Sequence, residues 1–171
     1  MLVRGIASKQ SLDLQGHLIL AGAFDASIAK RGLSGIALLL SHDSRRKAGH
    51  IFKLFTQDRA LHICAIVDPR LPGVSEYLAG FKKGETLGFS IGARDVQGIE
   101  AGPHKLITQA DLYEVSLTKH PVNPECLVTF VERDEPLWPI EFRQMFAEQD
   151  AAVAACPNPR TFIPTIRYED A

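Results

Sequence analysis

The apolar positions of this chain fall mostly into short runs with the two-residue period of strands. Residues 2–7 and 17–20 are two such runs, separated by the turn-like Ser8-Lys9-Gln10-Ser11, and they read as a hairpin. Residues 36–40 are continuously apolar and too few for a typical helix. They predict a strand buried on both faces that delivers Ser41-His42-Asp43 at its end. A basic turn, Ser44-Arg45-Arg46-Lys47, leads to a strand over 48–55, and a turn over 56–59 leads to one over 61–67. In residues 86–94, Phe89 and Ile91 take one face while Gly88, Ser90 and Gly92 take the other. A glycine-rich turn from Asp95 through Gly98 to Gly102-Pro103 precedes a long strand over 105–119, bulged or bent near 109–111. The last clear strand covers 126–131.

Only two segments before residue 136 carry helical spacing. Phe24, Ile28 and Arg31 belong to a short amphipathic helix with Gly32 as its C-cap. Val74, Tyr77, Leu78 and Phe81 share one face of a second, closed by Lys82-Lys83-Gly84. A doubly wound α/β fold needs more crossover helices than this. The expected class is mainly β with peripheral helices (α+β), arranged as a β-barrel or strongly bent sheet. At Glu132-Arg133-Asp134-Glu135-Pro136 the pattern weakens, which divides the chain into a body over 1–135 and a C-terminal helix (139–155) and tail over 136–171.

Composition narrows the function. With 171 residues, 46% of them hydrophobic, the chain can bury a core without staples. Its 19 basic and 20 acidic side chains are spread along the sequence, so no global field draws nucleic acid or a membrane surface. Cys64, Cys126 and Cys156 lack CxxC spacing, and two of them sit inside apolar runs, as reduced core residues of a cytosolic protein do. No apolar leader opens the sequence and no run reaches membrane-span length, so a soluble, unsecreted protein is expected.

Acyl transfer by serine needs a hydroxyl, a base within reach and a group that orients the base. Ser90 lies between two glycines, where missing side chains suggest close approach by another chain or ligand. It is equally an ordinary strand serine beside a bulge. His42, at the end of the most buried expected strand, is the best base, weighed against a solvated turn histidine beside Asp43 or Arg45. Glu114 shares a strand face with Leu112 and Ser116 and needs a partner if buried. An imidazole serves, and so does a salt bridge to Arg94 or Lys119. Ser116 is a rival nucleophile without flanking glycines, and His17, His50, His62, His104 and His120 are poorer bases. His42-Asp43 with His50 lacks metal-site spacing, and the Gly88 to Gly92 stretch lacks the lysine of a phosphate loop, so neither metal nor cofactor is expected.

Taken in order, Ala21-Gly22-Ala23-Phe24, Leu39-Leu40-Ser41-His42-Asp43, Gly49-His50-Ile51, Leu87-Gly88-Phe89-Ser90-Ile91-Gly92, Asp111-Leu112-Tyr113-Glu114-Val115-Ser116-Leu117 and Pro121-Val122-Asn123-Pro124-Glu125 make a familiar series. It resembles the prohead maturation protease family of tailed phages, over roughly residues 2–132. The resemblance implies a β-barrel of the herpesvirus-protease type surrounded by helices. It implies a serine endopeptidase that removes scaffold, or the scaffolding segment of the major capsid protein, inside the immature capsid in the host cytoplasm, often processing itself. Ser90 matches the nucleophile, His42 the general base and Glu114 the third member, with Asp111 and Ser116 close enough to be alternatives for that place. Asn123 or the local backbone is implied for the oxyanion, and Gly88 and Gly92 as letting a substrate strand pass over the serine. The herpesvirus relatives suggest a homodimer, through the helix at 74–83 or the tail. A non-catalytic capsid-assembly or scaffolding module with the same barrel is the alternative, and the presence of His42, Ser90 and Glu114 counts against it. The segment over 8–14 and Ser41 depart from the family pattern, which changes loop shape and removes no catalytic group.

Overall fold

The computed structural model describes residues 1–132, which form one compact unit. The expected boundary at 135/136 and the helix over 139–155 lie outside the described residues. Within them are β1 (Leu2–Lys9), β2 (His17–Ile19), α1 (Asp25–Arg31), β3 (Ala37–Leu40), β4 (Asp43–Gln57), β5 (Ala60–Val67), α2 (Val74–Lys82), β6 (Gly88–Ala101), β7 (His104–Thr118) and β8 (Val128–Glu132).

All the strands join one sheet with β7 as its hub. β6 runs antiparallel along one edge of β7, while the other edge takes β2 in parallel at 105–107 and β3 in parallel at 114–117. From β3 the order continues through β4, β5 and β1 to β8. The ladders form an open path, and its ends meet at a single bridge between Gly88 and Leu127. Mainly β architecture with few helices is thus observed, without ladder closure into a barrel. Leu38, Leu40, Ile63, Val67, Phe89, Val115 and Leu117 are almost wholly buried and tie β3, β5, β6 and β7 into one core.

Both helices form where helical spacing predicts them. Gly32, at φ 65°, donates its N–H to the Ile28 carbonyl at 2.9 Å and ends α1. In α2, Val74 and Leu78 are buried, and the half-buried Tyr77 and Phe81 pack on the core. The described cysteines are reduced, and burial pushes the Cys126 thiol up to about 12.

Three expectations fail for identifiable reasons. β1 and β2 do not form a hairpin, because β5 and β8 occupy both edges of β1. The chain instead reverses locally: Asp13 Oδ1 accepts the N–H groups of Gln15 (2.9 Å) and His17 (2.8 Å), and Leu12 bridges Leu18. The basic stretch 44–47 is not a turn but the exposed start of the long β4, whose charges mark solvent and not chain reversal. The glycine-rich stretch after Asp95 is the solvent-exposed continuation of β6, and only Gly102-Pro103 turns. The expected irregularity in β7 is present: the β6 and β7 register shifts across 107–114.

Candidate active site

Strand register assembles the site. Ser90 pairs with Ser116 and Gly92 with Glu114 across β6 and β7, which puts these four positions on one face. On the other edge of β7, Leu39 pairs with Ser116 and Leu40 with Leu117, so β3 ends beside the same positions. Leu40 pairs with Asp43, leaving Ser41-His42 as a two-residue turn. Both residues have positive φ (47° and 62°), as tight hairpin turns require, yet neither is the Gly or Asn that adopts it cheaply. Holding such conformations costs roughly 1–3 kcal/mol each. Three hydrogen bonds offset this: Ser41 N–H to the Leu117 carbonyl (2.9 Å), Ser41 Oγ with Tyr77 Oη of α2 (2.7 Å), and His42 N–H to Ser116 Oγ (3.0 Å).

The turn presents the imidazole to a buried carboxylate. His42 Nδ1 lies 2.5 Å from Glu114 Oε1, and Ser116 Oγ donates to Glu114 Oε2 at 2.7 Å. Glu114 is 3% exposed, and these two bonds supply what a carboxylate in that place requires. The competing partners are engaged elsewhere. Arg94 and Arg31 bind Asp111, whose carboxyl they hold far below the usual range, chiefly through the Arg31 hydrogen bond. Lys119 binds Glu85 at 3.0 Å and approaches Glu76 at 3.7 Å. Asp43 is taken by Arg45, whose side-chain hydrogen bond lowers its pKa to about 2. Asp111 therefore does not partner His42, and Glu114 does.

Ser90, His42 and Glu114 line one cavity of about 760 Å³, together with Gly92, Asn123 and the loop carrying Ser11, Asp13 and Gln15. Ser90 is 6% exposed, and among the described residues its hydroxyl makes no hydrogen bond, to His42 included. Ser116 is wholly buried, which removes it as a nucleophile.

Residues 7–136 match the family described as caudovirus prohead serine protease. The chain belongs to this family. It is thereby a prohead maturation protease. Among solved structures, the capsid assembly protease of bacteriophage T4 is similar with a TM-score of 0.50 at 14% identity, covering 70% of this chain and 82% of that one. A KSHV protease bound to a hexapeptide phosphonate inhibitor gives a TM-score of 0.45 at 11% identity, over 88% of this chain and 76% of that one. The likeness to the T4 enzyme is one of fold. No curated protein matches the sequence.

In this prohead protease the glycines flanking Ser90 make room for the protein's own groups. A Cβ on Gly92 would stand 2.6 Å from Glu114 Cγ and 2.8 Å from its Cδ, so Gly92 makes room for the carboxylate that holds His42. A Cβ on Gly88 would stand 2.5 Å from the Cys126 carbonyl oxygen and 2.8 Å from Pro121 Cγ, so Gly88 admits the chain that crosses to β8. Gly92→Ala is expected to destabilise the fold by about 1–3 kcal/mol. In a Glu114→Ala background the obstruction is gone and most of that cost should vanish. Urea unfolding of the four proteins measures this, and additive costs would show that the carboxylate is not what Gly92 accommodates.

Asn123 lines the cavity, but its Nδ2 is shared among Lys9 O (3.3 Å), Ser11 O (3.5 Å) and Ser11 Oγ (3.1 Å), while Oδ1 accepts the Glu125 N–H at 3.0 Å. These bonds pin the end of β1 to the turn before β8. The amide so held forms part of the cavity wall. Ser116 bonds both Glu114 and the His42 backbone, a part that the reading of the sequence does not give it. Its spacing of two from Glu114 in a strand was the available signal, since it puts both side chains on one face.

Proposed function

We propose that Ser90 is the nucleophile, His42 the general base and Glu114 the orienting carboxylate of an endopeptidase. It cuts scaffold or capsid-protein segments within the immature capsid in the host cytoplasm and trims its own chain. The observation that supports this most is the His42–Glu114 bond at the wall of the cavity that Ser90 also lines. A carboxylate only accepts hydrogen bonds, so Nδ1 carries the proton and Nε2 keeps a free lone pair. As Ser90 Oγ attacks the peptide carbonyl carbon, Nε2 takes the hydroxyl proton and Glu114 stabilises the imidazolium formed. The tetrahedral intermediate collapses, Nε2 gives that proton to the departing amine, and an ester to Ser90 remains. Water, deprotonated by the same nitrogen, then releases the carboxylic product.

The contact between Ser90 and Nε2 closes when substrate enters, as catalytic hydrogen bonds that are long in the free enzyme do. His42 has room to make that movement, its side chain being 43% exposed while its Nδ1 is tethered. Beneath the site we read the sheet as a barrel of the herpesvirus-protease type. Its seam is stitched by the Gly88–Leu127 bridge and by Phe89 N–H to Cys126 O (2.8 Å) and Val128 N–H to Leu87 O (2.9 Å).

A fluorophosphonate tests the assignment directly, because it forms a stable ester with an activated serine and releases fluoride. The expected result is one adduct per chain, located on Ser90 by peptide mass mapping. Absence of an adduct, or an adduct on another serine, sinks the proposal.

A further inference from the structure

We infer that Ser116 is a positioning residue for the base: its one hydroxyl locks both the imidazole's carboxylate and the imidazole's own strained turn. The inference rests on the reading of Ser90, His42 and Glu114 given above and adds a fourth group to it. Its basis is a closed ring of three hydrogen bonds among three residues. Ser116 Oγ–H donates to Glu114 Oε2 at 2.7 Å, Glu114 Oε1 receives His42 Nδ1–H at 2.5 Å, and His42 N–H returns to Ser116 Oγ at 3.0 Å.

Each bond of the ring removes a different freedom. The bond from Ser116 to Oε2 stops rotation of the carboxylate, which leaves Oε1 aimed at the imidazole. The bond from the His42 backbone fixes where the side chain starts, in a turn whose positive φ at residues 41 and 42 would otherwise relax. One group must donate to the first and accept from the second, and a hydroxyl does both, whereas an amine has no acceptor and a carboxylate no donor. Ser116 has no exposed surface, so it meets no substrate and acts only through its two partners. Without it, the imidazole keeps a carboxylate but loses the fixed orientation of that carboxylate and of its own turn. A displacement of about 1 Å in such a geometry costs on the order of 100-fold in rate.

The test measures inactivation of the full chain by diisopropyl fluorophosphate, separating the maximal rate from the half-saturating concentration. Ser116→Ala is expected to slow the maximal rate about 100-fold with the half-saturating concentration unchanged. Ser116→Thr, which keeps the hydroxyl, should recover most of the rate. In a Glu114→Ala background, where only the bond to the His42 backbone is left to lose, Ser116→Ala should cost clearly less than it does in the otherwise unaltered chain. A wild-type rate in Ser116→Ala, no recovery in a folded Ser116→Thr, or an undiminished further loss in the Glu114→Ala background would each overturn the inference. Should Ser116→Ala not fold, Ser116→Cys keeps the shape with a weak donor and is read by the same criteria. A normal rate in Glu114→Ala alone would instead remove the reading of the triad on which the inference stands.

Discussion

Ser90→Ala is expected to abolish cleavage of the co-expressed capsid or scaffold protein and leave the fold as stable as before. Loss of the nucleophile in a serine protease costs on the order of 10⁶-fold in kcat, because no other group forms the covalent intermediate. The stability side follows from burial. The Ser90 hydroxyl is almost buried and, among the described residues, unbonded, so alanine removes a polar atom that gains nothing from the fold. The melting temperature should therefore hold or rise. Intact mass of capsid protein, of the protease itself and of the Ser90→Ala variant reads the first half, and calorimetry the second. Undiminished cleavage by the variant would end the claim that Ser90 is the nucleophile. A large fall in melting temperature would show that Ser90 has a structural partner and that lost cleavage has another cause.

Much of the fold is legible in the sequence wherever burial imposes period on composition. β3 is a continuous apolar run whose Leu38, Leu39 and Leu40 are all buried, and the irregularity expected in β7 is met as register shifts against β6. What fails is reading composition as geometry on exposed backbone. The charges of 44–47 and the glycines after Asp95 have the makeup of turns, yet both stretches are strands with little to bury. Conversely, Ser41-His42 is a true tight turn with none of the usual residues, because bonds from β7 and α2 offset the strain. The long-range pairings are illegible for another reason. Nothing local announces that β3 lies parallel to the end of β7, yet that pairing brings the residue after Ser41 to Glu114.

The site shows the same division. Ser90 between Gly88 and Gly92 is visible as an anomaly, since glycine in a strand marks something that must come close. What comes close is ambiguous from sequence, because a ligand and the protein's own carboxylate leave the same gap. At Gly92 the close group is Glu114. The missing side chain lets a buried acid reach His42.

Glu114→Gln is expected to reduce kcat by about 10³- to 10⁴-fold, as removal of the orienting charge does in other serine proteases, with KM nearly unchanged. Glutamine keeps the shape but supplies one acceptor and one donor where the carboxylate has two acceptors. If its oxygen faces His42, the imidazole keeps the right tautomer but its charged form loses the counter-charge. If its nitrogen faces His42, that N–H occupies Nδ1, drives the proton to Nε2 and leaves nothing to receive the proton of Ser90. Either orientation disables the base, and neither breaks the packing. Stability should hold or increase, because a neutral amide in a nearly buried place escapes the cost of burying a charge, and Ser116 can turn its hydroxyl to suit. Activity and stability thus move in opposite directions at this one position. A parallel loss of both, with kcat per folded molecule unchanged, would make Glu114 a structural acid and leave His42 without its orienting group.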